Sequence, residues 1–115
     1  MTTRGRKVEV WMPHAGHFIC GYKCQFRLNT YVNGYIVSTV GEYVPSDWGN
    51  KSGFDTIGCD RLYETMVFKA IKSSHKCCPY KQATGSNIDF AGYNKPEAAY
   101  KGHLKMLAKY RRRAR

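Results

Sequence analysis

The chain has 115 residues, 43% hydrophobic and 14% aromatic, a size and composition that allow one domain around one core and exclude a second folded unit or a disordered tail. Nineteen Lys and Arg against eight Asp and Glu give a formal net charge of +11, which calls for an anionic partner: nucleic acid, a nucleotide or a membrane surface. No apolar run approaches the ~18 residues that a bilayer span needs, so no membrane-spanning segment is expected, and nucleic acid or a nucleotide is expected as partner rather than a membrane.

Residues 1–6 read as a flexible basic arm within a single domain covering 1–115. No apolar signal-peptide core follows this start, so a cytoplasmic location is expected, with the five cysteines mostly reduced. Lys7–Met12 alternates and predicts a short strand that Pro13 ends, with Val8, Val10 and Met12 on one face. His14–Lys23 is a turn-rich connection.

Cys24–Val44 is the strongest local signal. Asn33-Gly34 separates two runs of β-branched and aromatic residues, and both residues tolerate the positive φ of a two-residue type I′ turn. That turn would set Val32 opposite Tyr35, Thr30 opposite Val37 and Phe26 opposite Gly41. One face would then carry Cys24, Phe26, Leu28, Val32, Tyr35, Val37 and Tyr43. The other would carry Gln25, Arg27, Asn29, Ser38 and Glu42, with Tyr31, Ile36 and Val40 among them. A one-residue slip would move the apolar set into water, so the register is well specified. The second face is too apolar to be simply wet, and is expected to meet a second subunit or a ligand.

Pro45–Gly53 is a loop by composition, with Trp48 as a packed lid or an exposed stacking platform. Leu62–Ile71 predicts a strand apolar on both faces except at Glu64 and Lys69, placed inside the sheet. Residues 72–93 are irregular, with room for a short strand such as Ile88–Phe90. The last element is a helix with Asn94 as N-cap, Pro96 in the first turn and Glu97 in a capping box. Ala99, Tyr100, His103, Leu107 and Tyr110 form its apolar stripe, with Leu104 and Met106 at the edges. Lys101, Lys105, Lys109 and Arg112 line another face, and 111–115 form a basic tail. Strands first and a helix last predict an α+β fold: an antiparallel sheet of about four strands with one C-terminal helix packed on a face.

Three separated pieces, Val37-Ser-Thr-Val, Tyr63-Glu-Thr-Met-Val-Phe and Glu97-Ala-Ala-Tyr-Lys-Gly-His, together resemble a group of short, uncharacterised bacteriophage proteins. The resemblance implies a phage origin and a shared fold. Small phage proteins often act against host defences, which makes an anti-defence sponge one expectation. Glu64 and His103 both lie in the resembling motifs. A Glu on an apolar strand is costly to bury unless paired, and His103 on the helix stripe is the expected partner.

Three functions follow as expectations. The first is a non-enzymatic protein that binds a small anionic, nucleotide-derived ligand, as a homo-oligomer. Its candidate site residues are Arg27, Ser38, Arg61, Tyr63, Glu64, Thr65, Lys69 and His103. The second is RNA or DNA binding through Lys101, Lys105, Lys109, Arg111, Arg112, Arg113 and Arg115, with aromatic rings interleaved among basic residues. The third is an inhibitor that binds a host defence complex. The first is preferred by a small margin that rests on the phage-like pattern. No phosphate loop, dinucleotide fingerprint or nucleophile elbow is present, so an enzyme is not expected. A structural zinc has two sources: His14, His17, Cys20 and Cys24, or the pair Cys77 and Cys78.

Overall fold

A computed structural model describes residues 9–14, 17, 23–44, 54–57, 59–83 and 86–113. Expectations for the arm, Cys20, Trp48 and Arg115 fall outside them. Among the described residues six strands and one helix follow in chain order: β1 (Glu9–Trp11), β2 (Cys24–Val32), β3 (Tyr35–Tyr43), β4 (Tyr63–Lys72), β5 (Tyr80–Gln82), β6 (Asp89–Tyr93) and α1 (Pro96–Arg112). The sheet is antiparallel in the order β1-β2-β3-β4. The outer edge of β4 is shared, with β6 pairing Tyr63–Val67 and β5 pairing Ala70–Lys72. The α+β class is as expected, with two strands more. Both extra strands lie in the irregular stretch 72–93, where three and five residues of mixed polarity carry no periodicity and take strand form only by pairing with β4.

The hairpin forms in its expected register. Asn33 takes φ 52° and Gly34 φ 90°, the positive pair that a type I′ turn requires. Val32 pairs with Tyr35, Thr30 with Val37 and Phe26 with Gly41. Face alternation then builds a core on each side of the sheet. Val32, Tyr35, Val37 and Val67 pack against Met106, Leu107 and Tyr110 of α1. On the reverse side Ile36 and Phe68 pack with Met12 and Cys78, and Val10, Tyr31, Met66, Ala70 and Tyr80 close around them. The reverse face was expected to await a second subunit or ligand. Instead Ile36 and Val40, 1% and 0% exposed, are covered by this chain itself. Curling of the sheet makes this possible. Tyr31 of β2 stacks on Tyr80 of β5 with ring centroids 3.6 Å apart, although two strands separate them in the sheet.

Cys24 also departs from its expected face. Glu42 takes φ 56° and interrupts the ladder between the Cys24–Tyr43 and Phe26–Gly41 pairs, and Cys24 buries itself with Val40 and Ile57. Gly41 stands under the Tyr63 ring, where a Cβ would lie 2.1 Å from Tyr63 Cδ2. Tyr63 is held from both sides, since its hydroxyl donates to Glu42 Oε2 at 2.8 Å and Phe26 meets its ring edge-on. Burial, then the Glu42 bond and charge, push its phenol up to about 12. Gly41→Ala is therefore expected to cost about 1–3 kcal/mol of stability, read as a lower urea midpoint with an unchanged slope.

α1 starts one residue later than its expected cap. Lys95 occupies the N-cap position without a side-chain bond, so the capping box does not form, while Pro96 opens the helix as expected. Asn94 Oδ1 instead accepts the Leu62 N–H at 3.1 Å, tying the start of β4 to the helix entry. The buried stripe is Ala99, His103, Met106, Leu107 and Tyr110, while Tyr100 and Leu104 remain 49% and 39% exposed. At the other end Asn33 Nδ2 donates to the carbonyls of Tyr110 (3.1 Å) and Arg113 (2.7 Å). Among the described residues no helix is long and apolar enough to cross a membrane.

Candidate functional site

The residues expected to form a nucleotide pocket are divided by the sheet. Strand alternation turns Tyr63, Thr65 and Lys69 toward the helix side and Glu64 to the reverse side. Ser38, Thr65 and His103 are fully buried, Tyr63 and Glu64 nearly so, whereas Arg27, Arg61 and Lys69 are exposed. Glu64 and His103 do not pair. Glu64 lies one position from Thr65, whose face His103 occupies, so the sheet separates them.

Each joins a different buried network. On the reverse face His17 Nδ1 meets Ser38 Oγ at 3.0 Å and His17 Nε2 meets Glu64 Oε1 at 3.4 Å. On the helix face His103 Nε2 meets Thr30 Oγ1 at 2.9 Å and His103 Nδ1 meets Thr39 Oγ1 at 2.7 Å, with Thr39 bonded on to Thr65. Trp11 leans on the His103 ring, centroids 5.2 Å apart. Burial lowers both histidines to about 4, so both are neutral near pH 7. Burial also raises the Glu64 carboxyl. The His17–Glu64 contact is thus a hydrogen bond to a neutral imidazole. Hydroxyl, imidazole and carboxylate follow one another here as in a nucleophilic triad, but a nucleophile must reach its substrate and Ser38 is 0% exposed.

The exposed chemistry lies elsewhere. Lys101, Lys105 and Lys109 project from one side of α1 and line a groove of about 530 Å³. Its floor is Ala91 and Tyr93 of β6 with Gly102 and Met106 of α1. Gly102 lets the helix approach closely, since a Cβ there would lie 2.1 Å from the Tyr93 hydroxyl oxygen. Lysines four residues apart rise ~6 Å along the axis, so the three form a row of cations about 12 Å long. Lys109 also bonds Asp89 at 2.7 Å, and Tyr110 donates to the same carboxylate at 2.9 Å. Burial pushes the Asp89 carboxyl up, but the bonds from Lys109 and Tyr110 outweigh it and hold it below its usual range. Arg111 pairs with Glu9 of β1, while Arg112 and Arg113 are exposed.

A second basic cleft, about 360 Å³, is lined by Lys69, Lys72, Tyr31, Tyr35 and Tyr80. The stacked Tyr31–Tyr80 pair already occupies one face of each ring.

The expected zinc ligands regroup. His17 is held by Ser38 and Glu64, and Cys24 is 1% exposed in an apolar cluster. His14 instead meets Cys77 and Cys78, one ligand from the first expected set and two from the second. The sequence places them 63 positions apart, and no spacing rule links such distant turns. The groove escaped the sequence reading for a related reason. One of its walls is β6 (Asp89–Tyr93), of which the sequence reading had only room for a short strand such as Ile88–Phe90, with no sign of its pairing or of the helix beside it. No protein-family model, curated protein or solved structure matches this chain, so its site stands on geometry alone.

Proposed function

We propose that the protein binds nucleic acid, gripping the phosphate backbone with the lysine row of α1 over the groove beside β6, continued by Arg112 and Arg113. The observation that carries this reading is three exposed lysines at four-residue spacing along one wall of an open groove. An open, linear row of cations matches a polymer of phosphates better than a single nucleotide. The sequence reading put a small nucleotide-like ligand first. The scatter of Ser38, Glu64, Thr65 and His103 over two buried networks favours the polymer instead. One chain supplies the whole groove, so the reading needs no homo-oligomer. Contacts to phosphate carry no base information, so affinity is expected to be nearly independent of sequence. A zinc held by His14, Cys77 and Cys78 would be structural in this reading, because those residues lie on the reverse side of the sheet from α1.

Anisotropy of a labelled single-stranded oligonucleotide, titrated with protein at several salt concentrations, tests this directly. Engagement of about three to five phosphates gives a log–log salt slope of about −2 to −4. A mononucleotide that competes as well as an unlabelled oligonucleotide would return the reading to a small-ligand pocket, and absence of binding at low salt would end it.

A further inference from the structure

We propose that His14, Cys77 and Cys78 form a zinc site that clips together the two edges of the curled sheet. His14 follows β1, the strand on one edge, while Cys77 and Cys78 precede β5 on the other. Their ligand atoms all lie within 4.8 Å of one another. His14 Nδ1 is 3.2 Å from Cys77 Sγ, and Cys77 Sγ is 3.4 Å from Cys78 Sγ. Donors bound to one tetrahedral zinc at about 2.0–2.3 Å stand about 3.3–3.8 Å from each other, so two of these separations are already near those of a loaded site. Two thiolates and one imidazole suit this borderline-soft ion better than the oxygen-seeking cations. The three ligands line a cleft of about 370 Å³ together with Ser73, His75 and Tyr80, and a water in that cleft would supply the fourth ligand.

The location shows what the ion would do. β5 has three residues and pairs only with the last three of β4, a short edge that holds poorly by itself. Its closure over the reverse face rests on the Tyr31–Tyr80 stack and on Cys78 packing with Met12. A metal bound by His14 and the two thiolates joins that edge to β1 by bonds far stronger than these contacts. The effect is that of a cross-link between chain segments 63 residues apart.

The test uses the full chain, stripped with chelator under reductant and titrated with zinc or cobalt alone. Uptake of about one equivalent per chain is expected, with thiolate-to-cobalt charge-transfer bands and an unfolding midpoint raised by about 5 °C or more. His14→Ala and Cys77→Ser alter exposed residues and should each weaken binding at least about tenfold, whereas Cys59→Ser should leave it unchanged. Uptake below about a tenth of an equivalent by fully reduced protein overturns the proposal. So does equal affinity in the His14→Ala/Cys77→Ser double variant, which would put the metal elsewhere.

Discussion

Replacing Lys101, Lys105 and Lys109 together with glutamine is expected to weaken oligonucleotide binding about 30–100-fold near 100 mM salt and to flatten the salt slope by about 2–3. The two effects belong together. Each lost phosphate contact removes both its attraction and its counterion release, so a fall in affinity without a change in slope would mean that binding had failed for another reason. The fold should survive, because all three side chains are exposed and Gln is nearly as good a helix former as Lys. The one ion pair removed, Lys109–Asp89, lies at the surface and contributes at most about 1 kcal/mol. Circular dichroism and the thermal midpoint check this. Weakening should be the same for unrelated base sequences, since the lysines reach phosphates rather than base edges. Unchanged affinity in a folded variant would move the interface away from α1.

Acidification from pH 6.5 to pH 4 is expected to strip about 3 kcal/mol from folding stability for each of His17 and His103. The folded state holds both groups at about 4, against 6.5 in the unfolded chain. Between those values the unfolded chain takes up protons that the folded one refuses. Their contribution is therefore complete above pH 6.5, declines as the pH falls, and is gone below about 4. Glu64 acts in the opposite sense. Its raised carboxyl is easier to protonate when folded, so it returns part of the loss on the His17 side. Among the described residues no carboxylate bonds to the His103 ring, whose partners are Thr30 and Thr39, so nothing comparable there offsets it. Urea titrations at pH 7, 5.5 and 4.5 read the loss directly. His103→Gln should flatten the profile over this window, and a wild-type profile that is already flat would mean that the rings protonate freely in the folded state.

Where chain neighbours alone decided the structure, the sequence was a sufficient guide. Asn33-Gly34 determined the turn, the turn determined the register, and alternation then sorted most side chains between two faces. Pro96 and the stripe through His103 and Leu107 likewise located the helix and the side that it buries. The errors share a cause, because each involves a partner remote in sequence. Asn94 looked like a cap until Leu62 claimed its oxygen. Glu64 and His103 looked like a pair until alternation in β4 put the sheet between them. His17 gave no hint that it would fill the space beside Ser38 and Glu64, since a lone histidine in a turn carries no address. The second core was half legible. Tyr31, Ile36 and Val40 announced a face that needed cover, but only the fold shows that β5 and the residues after β1 cover Tyr31 and Ile36, while Cys24 and Ile57 cover Val40.

The two bonds from Asn33 to the end of α1 bear on the order of assembly. The type I′ turn closes a loop of two residues and forms from local preference alone, whereas its contact with Tyr110 closes one of 77. A closure that long gains nothing until both of its ends are already shaped. The hairpin therefore presents a finished receptor, a side-chain amide aimed outward from its tip, before the helix arrives to be held by its last carbonyls. On this view the tip of the hairpin serves two phases of folding: it sets the strand register early, and later it selects where the final helix stops.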